Sequence, residues 1–336
     1  MAGATAVGTK PLIRVEGLEK HFPAESHWFR RSDSFVHAVD GISFELARGE
    51  SFGLVGESGC GKTTTGRLLV RLAEPTGGHV LFDDGEGAST DITTLRGDDL
   101  KAFRRKAQMI FQDPYESLNP RRTIFDTVAE PLKVQNACPP LERMERVSRM
   151  LEMVGLTPPA TYLFRYPHEL SGGQRQRVAI ARALVIEPIF VVADEPTSML
   201  DVSIRTGVMN LMESLAERLG ISYLYITHDL AVARYMCSRI AVMYLGKIVE
   251  MGDTEAVLQN PQHPYTQALL SAVPIPDPTA TRAPVRISGG VARPLDPPPR
   301  CRFYSRCPIA DDFCRDNPHP PLEKKGAGQR VACYKA

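Results

Sequence analysis

Eight residues constrain this chain more than any others: Gly56-Glu57-Ser58-Gly59-Cys60-Gly61-Lys62-Thr63. They fit the spacing G-x-x-x-x-G-K-[ST], follow the apolar run Ser51–Val55 and precede a helix expected over Thr63 to Leu72. In that setting the glycines let backbone N–H groups turn inward as an anion nest at a helix start, where the dipole favours phosphate. Lys62 places a point charge on the β- and γ-phosphates, Thr63 offers its hydroxyl to Mg²⁺, and Thr64 reaches the α-phosphate. Cys60 stands at a variable position, so its side chain reads as a bystander among Gly56, Ser58, Gly59 and Gly61. The loop reads as a nucleoside triphosphate site, without saying what hydrolysis drives.

A second stretch completes the chemistry. Phe190-Val191-Val192-Ala193-Asp194-Glu195-Pro196 is an apolar strand ending in two carboxylates. A strand covered on both faces delivers its last side chains to the crevice at its carboxyl end. Asp194 is therefore expected to hold Mg²⁺ through water, and Glu195 to orient or deprotonate the attacking water. Leu170-Ser171-Gly172-Gly173-Gln174-Arg175-Gln176-Arg177 opens another helix, expected over Val178 to Val185, and forms a second anion-binding helix start. One ATP does not easily serve two such starts in one monomer. A head-to-tail dimer, in which each such loop closes over the partner's nucleotide, is the economical arrangement.

Around these motifs, residues 11–55 alternate as strands, with the polar and aromatic stretch His21 to Val36 read as a loop. Residues 113–187 read as mostly helical: Met144, Val147, Met150, Leu151 and Val154 recur at helical spacing. Residues 188–258 return to strand–helix alternation, the pattern of an α/β fold with a buried parallel sheet. Residues 272–300 hold eight of the 27 prolines and read as a stiff extended linker. No run approaches the roughly 18–20 apolar residues that span a bilayer, and Met1 to Lys10 lacks an apolar signal core, so a cytoplasmic chain is expected. Lys plus Arg less Asp plus Glu is 40 − 39 = +1, which argues against a nucleic-acid-coating protein.

With these motifs in view, the chain resembles the ATP-binding subunit of an ABC transporter. The resemblance rests on the Gly56–Thr63 loop, Gln112 after a strand, Leu170–Gln174, Asp194-Glu195, Ser198-Met199-Leu200-Asp201, and His228 in Ile226-Thr227-His228-Asp229. It covers about residues 11–258. It implies an α/β P-loop NTPase cassette: a RecA-like core, an antiparallel β subdomain and an inserted helical subdomain at about 113–187. It also implies that Gln112 senses Mg²⁺ and the attacking water, and that His228 contacts the γ-phosphate. Ser171, Gly172, Gly173 and Gln174 would face the partner's ATP, and Asp201 would link the two sites. Met199 stands where the family usually has a small residue and is expected to pack there. Adenine would stack on an upstream aromatic: Phe22 first, with Trp28 and Phe29 as rivals.

Two further strings narrow the resemblance. Phe111-Gln112-Asp113-Pro114-Tyr115-Glu116-Ser117-Leu118-Asn119-Pro120-Arg121 is similar to the second ATPase subunit of dipeptide and oligopeptide importers, and Asn260 to Leu270 is similar to the segment that follows the core in both. The implied partners are a second homologous ATPase subunit in a heterodimer, two membrane permease subunits and an extracytoplasmic substrate-binding protein, with the chain peripheral on the cytoplasmic face of the membrane. Of Met109, Phe111, Tyr115 and Leu118, any one is expected to be core before it is part of a groove for a permease helix. Import of nickel or another small solute, or a redox-regulated ATPase subunit, are the alternatives. A ribosome- or DNA-acting ATPase would show tandem cassettes or a heptad-rich coiled coil, which this chain lacks.

Residues 259–300 thus form a helix and linker, and residues 301–336 a small tail carrying Cys301, Cys307, Cys314 and Cys333. The tail has few apolar residues, and a metal or cluster would supply the missing stability. Tight C-x2–4-C zinc knuckles are absent. The spacing resembles the cluster-bearing tail of dipeptide-importer ATPases, which implies a [4Fe–4S] cluster, with zinc or unmetallated thiols as the alternatives. The thiols lie far in sequence from the ATP motifs, so a structural or docking role separate from nucleotide binding is expected. Cys138 and Cys237 read as unliganded.

Overall fold

A computed structural model describes residues 10–24, 34–272, 294–325 and 328–336. Trp28, Phe29 and residues 273–293 of the proline-rich stretch lie outside them. Two sheets organise the chain. The first is antiparallel, built from β1 (Ile13–Pro23), β2 (Phe35–Leu46), β4 (Gly77–Phe82) and β5 (Thr90–Asp91), in the order β2-β1-β4-β5. Here β1 runs on to Pro23 and β2 starts at Phe35, pairing Phe22 with Val36. Both ends of the stretch read as a loop from His21 to Val36 are therefore strand, because polar alternation on an exposed sheet edge carries little period-two signal.

The second sheet has eight strands in the order β11-β12-β10-β9-β3-β8-β7-β6, where β10 is Lys247–Asp253, β11 Glu323–Lys325 and β12 Gln329–Val331. Its centre, β3 (Ser51–Val55), is parallel to both β8 (Ser222–Thr227) and β9 (Arg239–Tyr244), while β7 (Phe190–Asp194) pairs with β8 and β6 (Ala107–Ile110) with β7, also in parallel. Every residue of β7 and β8 is buried, as uninterrupted apolar runs require. Since β3 leads away to neighbours on both sides, its carboxyl end is the point where a crevice opens in such a sheet.

Eleven α-helices are present among the described residues. Those that position the site are α1 (Lys62–Leu69) after β3; α2 (Gly97–Lys106); α3 (Pro114–Ser117); α4 (Ile124–Val134), α5 (Arg143–Met153) and α6 (Gly172–Leu184), which pack together; and α7 (Val202–Leu219) and α8 (Leu230–Met236). Val147, Met150 and Leu151 are buried on α5, whereas Met144 at the start of the same stripe is exposed. The helix expected from Val178 begins at Gly172 instead: Ser171 caps it, its Oγ accepting from Gln174 N–H (3.3 Å) while Gln174 Oε1 accepts from Ser171 N–H (3.0 Å).

The cysteine-bearing tail is not a separate appendage. Through β12 (Gln329–Val331) it pairs with β10 (Lys247–Asp253), and β11 (Glu323–Lys325) adds the last strand of the main sheet. Phe303 is 1% exposed, ringed by Tyr244 (centroids 5.2 Å), Tyr265 (5.5 Å) and His263 (5.8 Å). Arg302 bonds Asp40 of β2. The tail, expected to lean on a metal or cluster for stability, also borrows the cassette's own core. Pro294 to Asp296 also edges the antiparallel sheet: His37 N–H donates to Pro294 O (2.9 Å) and Phe35 N–H to Asp296 Oδ1 (2.9 Å).

Helix α9 (Thr254–Gln259) leads to α10 (Pro264–Ser271), whose start explains the string Asn260 to Leu270. Buried Glu250 accepts from the N–H groups of Gln262 (2.8 Å) and His263 (3.0 Å), and His263 Nδ1 caps the helix by accepting from Tyr265 N–H (3.0 Å). A short helix, α11 (Asp312–Asp316), carries Cys314.

Candidate active site

Loop Gly56–Thr63 joins β3 to α1 in a conformation that demands its glycines. Gly56 (φ +154°) and Gly61 (φ +110°) leave no room for a side chain: a Cβ would sit 2.2 Å from Met243 O at the first and 2.0 Å from Ala38 O at the second. Lys62, 5% exposed, donates from Nζ to the carbonyls of Gly56 (2.7 Å) and Glu57 (2.9 Å), spanning the loop. Cys60 is buried beneath it, and burial pushes its thiol above the usual range.

Across the crevice, Asp194 and Glu195 leave the end of β7. Thr63 Oγ1 donates to Asp194 Oδ1 (3.1 Å). A hydroxyl and a carboxylate oxygen this close form a hard-oxygen pair of the kind Mg²⁺ takes. Burial raises the Asp194 carboxyl above its ordinary value and Glu195 adds to the shift, while Thr63, Arg67 and Lys62 oppose it. Glu195 adopts a left-handed backbone (φ +44°), pinned by its N–H to Ile226 O (2.8 Å). Its carboxylate is held on both sides: Gln112 Nε2 donates to Oε2 (3.2 Å) and His228 Nδ1 lies 2.9 Å from Oε1. One cavity of about 560 Å³ gathers these groups. Gly56, Ser58, Gly59, Gly61, Lys62, Thr63 and Thr64 line one side, Gln112, Glu195 and His228 the other.

Other expected residues stand apart from that cavity. None of Ser171, Gly172, Gly173 and Gln174 lines it. They open α6, where a Cβ on Gly173 would meet Ile204 at 2.7 Å. Asp201 precedes α7 and is exposed. Met199, expected to pack, is 57% exposed in the loop before α7. Phe22 is exposed on β1 under Lys20, whose Nζ lies 5.0 Å from the ring, and it is not part of the cavity wall. Met109 and Leu118 are core, whereas Phe111 and Tyr115 are exposed. Met109 and Phe111 line a separate cavity of about 270 Å³ against Val134, Arg182 and Ile186.

In the tail, burial pushes the Cys301 thiol up to about 11, with Cys307, Cys333 and Cys314 adding to the rise. The four thiols thus share one electrostatic neighbourhood. No three of them bring their sulfurs within 4.8 Å of one another; the trio among the described residues that does meet that distance is His21, His37 and Asp40. Those two imidazoles stack (3.9 Å, 26° between planes), with His21 Nε2 3.7 Å and His37 Nδ1 3.6 Å from the same Asp40 Oδ1. Asp40 is a charge centre. Burial would raise its carboxyl, yet Lys247 and Arg302 hold it down to about 2.

Residues 39–198 match the family described as ABC transporter, and residues 249–314 the oligopeptide/dipeptide transporter C-terminal region. Over 325 residues the chain is 46% identical to the dipeptide transport ATP-binding protein DppF of Haemophilus influenzae, covering 96% of each. Over 336 residues it is 44% identical to the oligopeptide transport ATP-binding protein AppF of Bacillus subtilis, covering 98% of this chain and 99% of AppF. The chain belongs to the ATP-binding proteins of the peptide-importing ABC transporters. Its cassette fold is that of MJ0796, a bacterial ABC transporter cassette solved as a dimer and, after hydrolysis, with ADP and Pi. For the latter structure the TM-score is 0.62 at 30% identity, over 72% of this chain and 98% of that one.

The second matched region reaches the loop itself, which sequence reasoning did not foresee. Leu269 of α10 lines the cavity, and Tyr265 OH accepts from Glu57 N–H (2.9 Å). From the tail, Arg306 grips the Glu57 carboxylate with both arms, Nη1 to Oε2 at 2.9 Å and Nη2 to Oε1 at 3.2 Å. The expected separation between the cysteine tail and the nucleotide motifs is therefore corrected: Cys307 adjoins a residue that touches the glycine loop. The available signal was the string Asn260 to Leu270, which a proline-started helix alone did not explain.

Proposed function

We propose that this chain is the ATP-hydrolysing subunit that powers peptide uptake by a binding-protein-dependent ABC transporter. The observation that carries the reading is the Glu195 carboxylate, held between Gln112 and His228 across one cavity from the Gly56–Thr64 loop. It occurs in a chain nearly half identical, end to end, to peptide import ATP-binding proteins.

In this reading ATP lies with its phosphates on the loop. Lys62 and the backbone N–H groups neutralise the β- and γ-oxygens, and Thr63 and Asp194 would hold Mg²⁺, which when bound would screen charge on the transferring phosphoryl group. Glu195 accepts a proton from, or aligns, the attacking water. His228 and Gln112 fix its two oxygens so that this acceptor faces the γ-phosphate. Ser171 to Gln174 and Asp201 stand away from the chain's own cavity, with Ser171 and Asp201 exposed, and serve the site of a second ATPase subunit. The Phe111–Arg121 string supports reading this chain as the second of two non-identical subunits. Phe22 remains the aromatic assigned to adenine.

Among the described residues no helix is long and apolar enough to cross a membrane. As the resemblance implies, the chain docks from the cytoplasmic side on two permease subunits. The cavity beside Phe111 and Arg182, between β6 and α6, is the assigned contact. For the four tail thiols we assign a [4Fe–4S] cluster. Four thiolates suit a four-iron cube, with an iron behind each, and the support here is the shared neighbourhood of Cys301, Cys307, Cys314 and Cys333. The cluster would brace the loop between Cys301 and Cys307. Anaerobic protein should be brown with about four irons and four sulfides per chain; zinc without iron overturns the assignment.

The test of function is to isolate the tagged chain with its membrane partners, identify them, and measure ATPase activity with the matching binding protein. Stimulation by the binding protein loaded with di- or oligopeptide is the expected result. Stimulation by nickel and not by peptide would replace the substrate class. Absence of permease chains would overturn the transport reading.

A further inference from the structure

Glu57 places an acidic side chain on a loop whose purpose is to hold an anion, and it lines the cavity. Its charge is met by one cation from 249 residues away, through the two-armed contact with Arg306. Arg306 is 8% exposed, and its Nη1 also reaches Tyr244 OH (3.4 Å). Tyr244 stacks at a tilt on Tyr265 (4.5 Å), and Tyr265 OH takes the N–H of Glu57 itself. Side chain and backbone of this one loop residue are thus both tied to the C-terminal region. Phe303, three residues before Arg306, fills the same aromatic nest, and its carbonyl accepts from Arg306 N–H (3.0 Å).

We propose that Arg306 is a positioning residue for nucleotide binding: it neutralises Glu57 and fixes the entrance of the phosphate loop. Without it an uncompensated carboxylate faces the triphosphate, and the charge it repels is the one the loop must hold. Because Arg306 does not touch the reacting atoms, its loss weakens ground-state and transition-state binding together, raising KM while leaving kcat in place. This deepens the reading of Gly56–Thr64 as the phosphate cradle and rests on it.

The test uses the full chain for MgATP binding by titration calorimetry and the assembled transporter for steady-state ATPase. Arg306→Met keeps most of the side chain's volume and is expected to raise the Kd for MgATP about tenfold, or about 1.4 kcal/mol, with kcat within twofold of wild type. Arg306→Lys retains the charge without the fork and should lie within threefold of wild type. Adding Glu57→Gln to Arg306→Met should return Kd to within threefold, an outcome that mere loosening of the tail would not give. Glu57→Gln alone should bind two- to threefold more tightly. The proposal is overturned if Arg306→Met binds like wild type or lowers kcat alone, if the double variant binds no better than the single, or if Glu57→Gln alone binds tenfold more weakly. Should Arg306→Met not fold, the Arg306→Lys and Glu57→Gln results decide by the same limits. Lys62→Ala separates the two layers. If it binds MgATP as wild type does, the cradle reading fails; if it loses binding while Arg306→Met keeps it, only the positioning role fails.

Discussion

Replacing Phe303 with Ala tests whether the tail belongs to the cassette core. The ring is 1% exposed and contacts three aromatic neighbours, two of them tyrosines within 5.5 Å. Removing a buried benzyl group costs about 3–5 kcal/mol through lost transfer energy and the cavity left behind. The tail's other ties among the described residues include the Arg302–Asp40 and Arg306–Glu57 contacts, the bonds from Gln329 Nε2 to Ala256 O (2.8 Å) and Asn260 O (3.1 Å), and the short β12–β10 ladder, and the cost falls on tail docking before it falls on the central sheet. The amide of Ala332, which donates to Val249 O (2.8 Å), reports that docking. At about 1.4 kcal/mol per decade, its exchange with deuterium should accelerate by a factor on the order of 10²–10⁴. Peptides from β7 and β8 should change little. The measurement is hydrogen exchange by mass spectrometry on Phe303→Ala with native far-UV circular dichroism. Acceleration below about threefold at Ala332, or equal acceleration in β7 and the tail, refutes the reasoning.

Three further outcomes follow from the site. Glu195→Gln in the assembled transporter should lower kcat by about 10²–10⁴ with MgATP affinity retained; turnover near the wild-type rate would remove Glu195 from its role. The isolated chain should hydrolyse ATP slowly, since Ser171–Gln174 do not line its own cavity; full rate in a preparation shown monomeric by light scattering contradicts the composite site. Burial holds the His263 imidazole down to about 3 in the fold, against 6.5 when exposed. The unfolded chain therefore binds the extra proton first, and this group's contribution is intact above pH 6.5 and lost progressively as pH falls toward 3. By pH 5 the loss should be about 2 kcal/mol, read as a drop in urea midpoint that His263→Gln largely removes. An unchanged pH slope in that variant would show that His263 is not the titrating group.

Much of the site was legible because its chemistry is local in sequence. The glycine loop needs its residues consecutive, since a nest is built from adjacent N–H groups, and an apolar run ending in two acids reads as a strand end delivering carboxylates. The order of these segments carried the cassette fold. Legibility failed where polar strands met an exposed edge, at Pro23 and Phe35, and where a capping box at Ser171 let glycines begin a helix that composition placed six residues later.

The tertiary structure alone decided what meets the loop from outside. Alternation and motif spacing describe neighbours along the chain, whereas Arg306 reaches Glu57 across 249 positions and Phe35 reaches Asp296 across 261. Such contacts depend on where the sheet order places β10 beside β12 and β3 beside β9, and no short window of residues encodes that adjacency. So the motifs determined that this chain handles ATP and phosphate. Packing of the C-terminal region against the loop decided that a segment beyond the cassette, including the neighbours of Cys301 and Cys307, touches the same phosphate site. The reason is physical: the tail has too little apolar surface to fold on its own, and the nearest core able to bury Phe303 lies under the glycine loop.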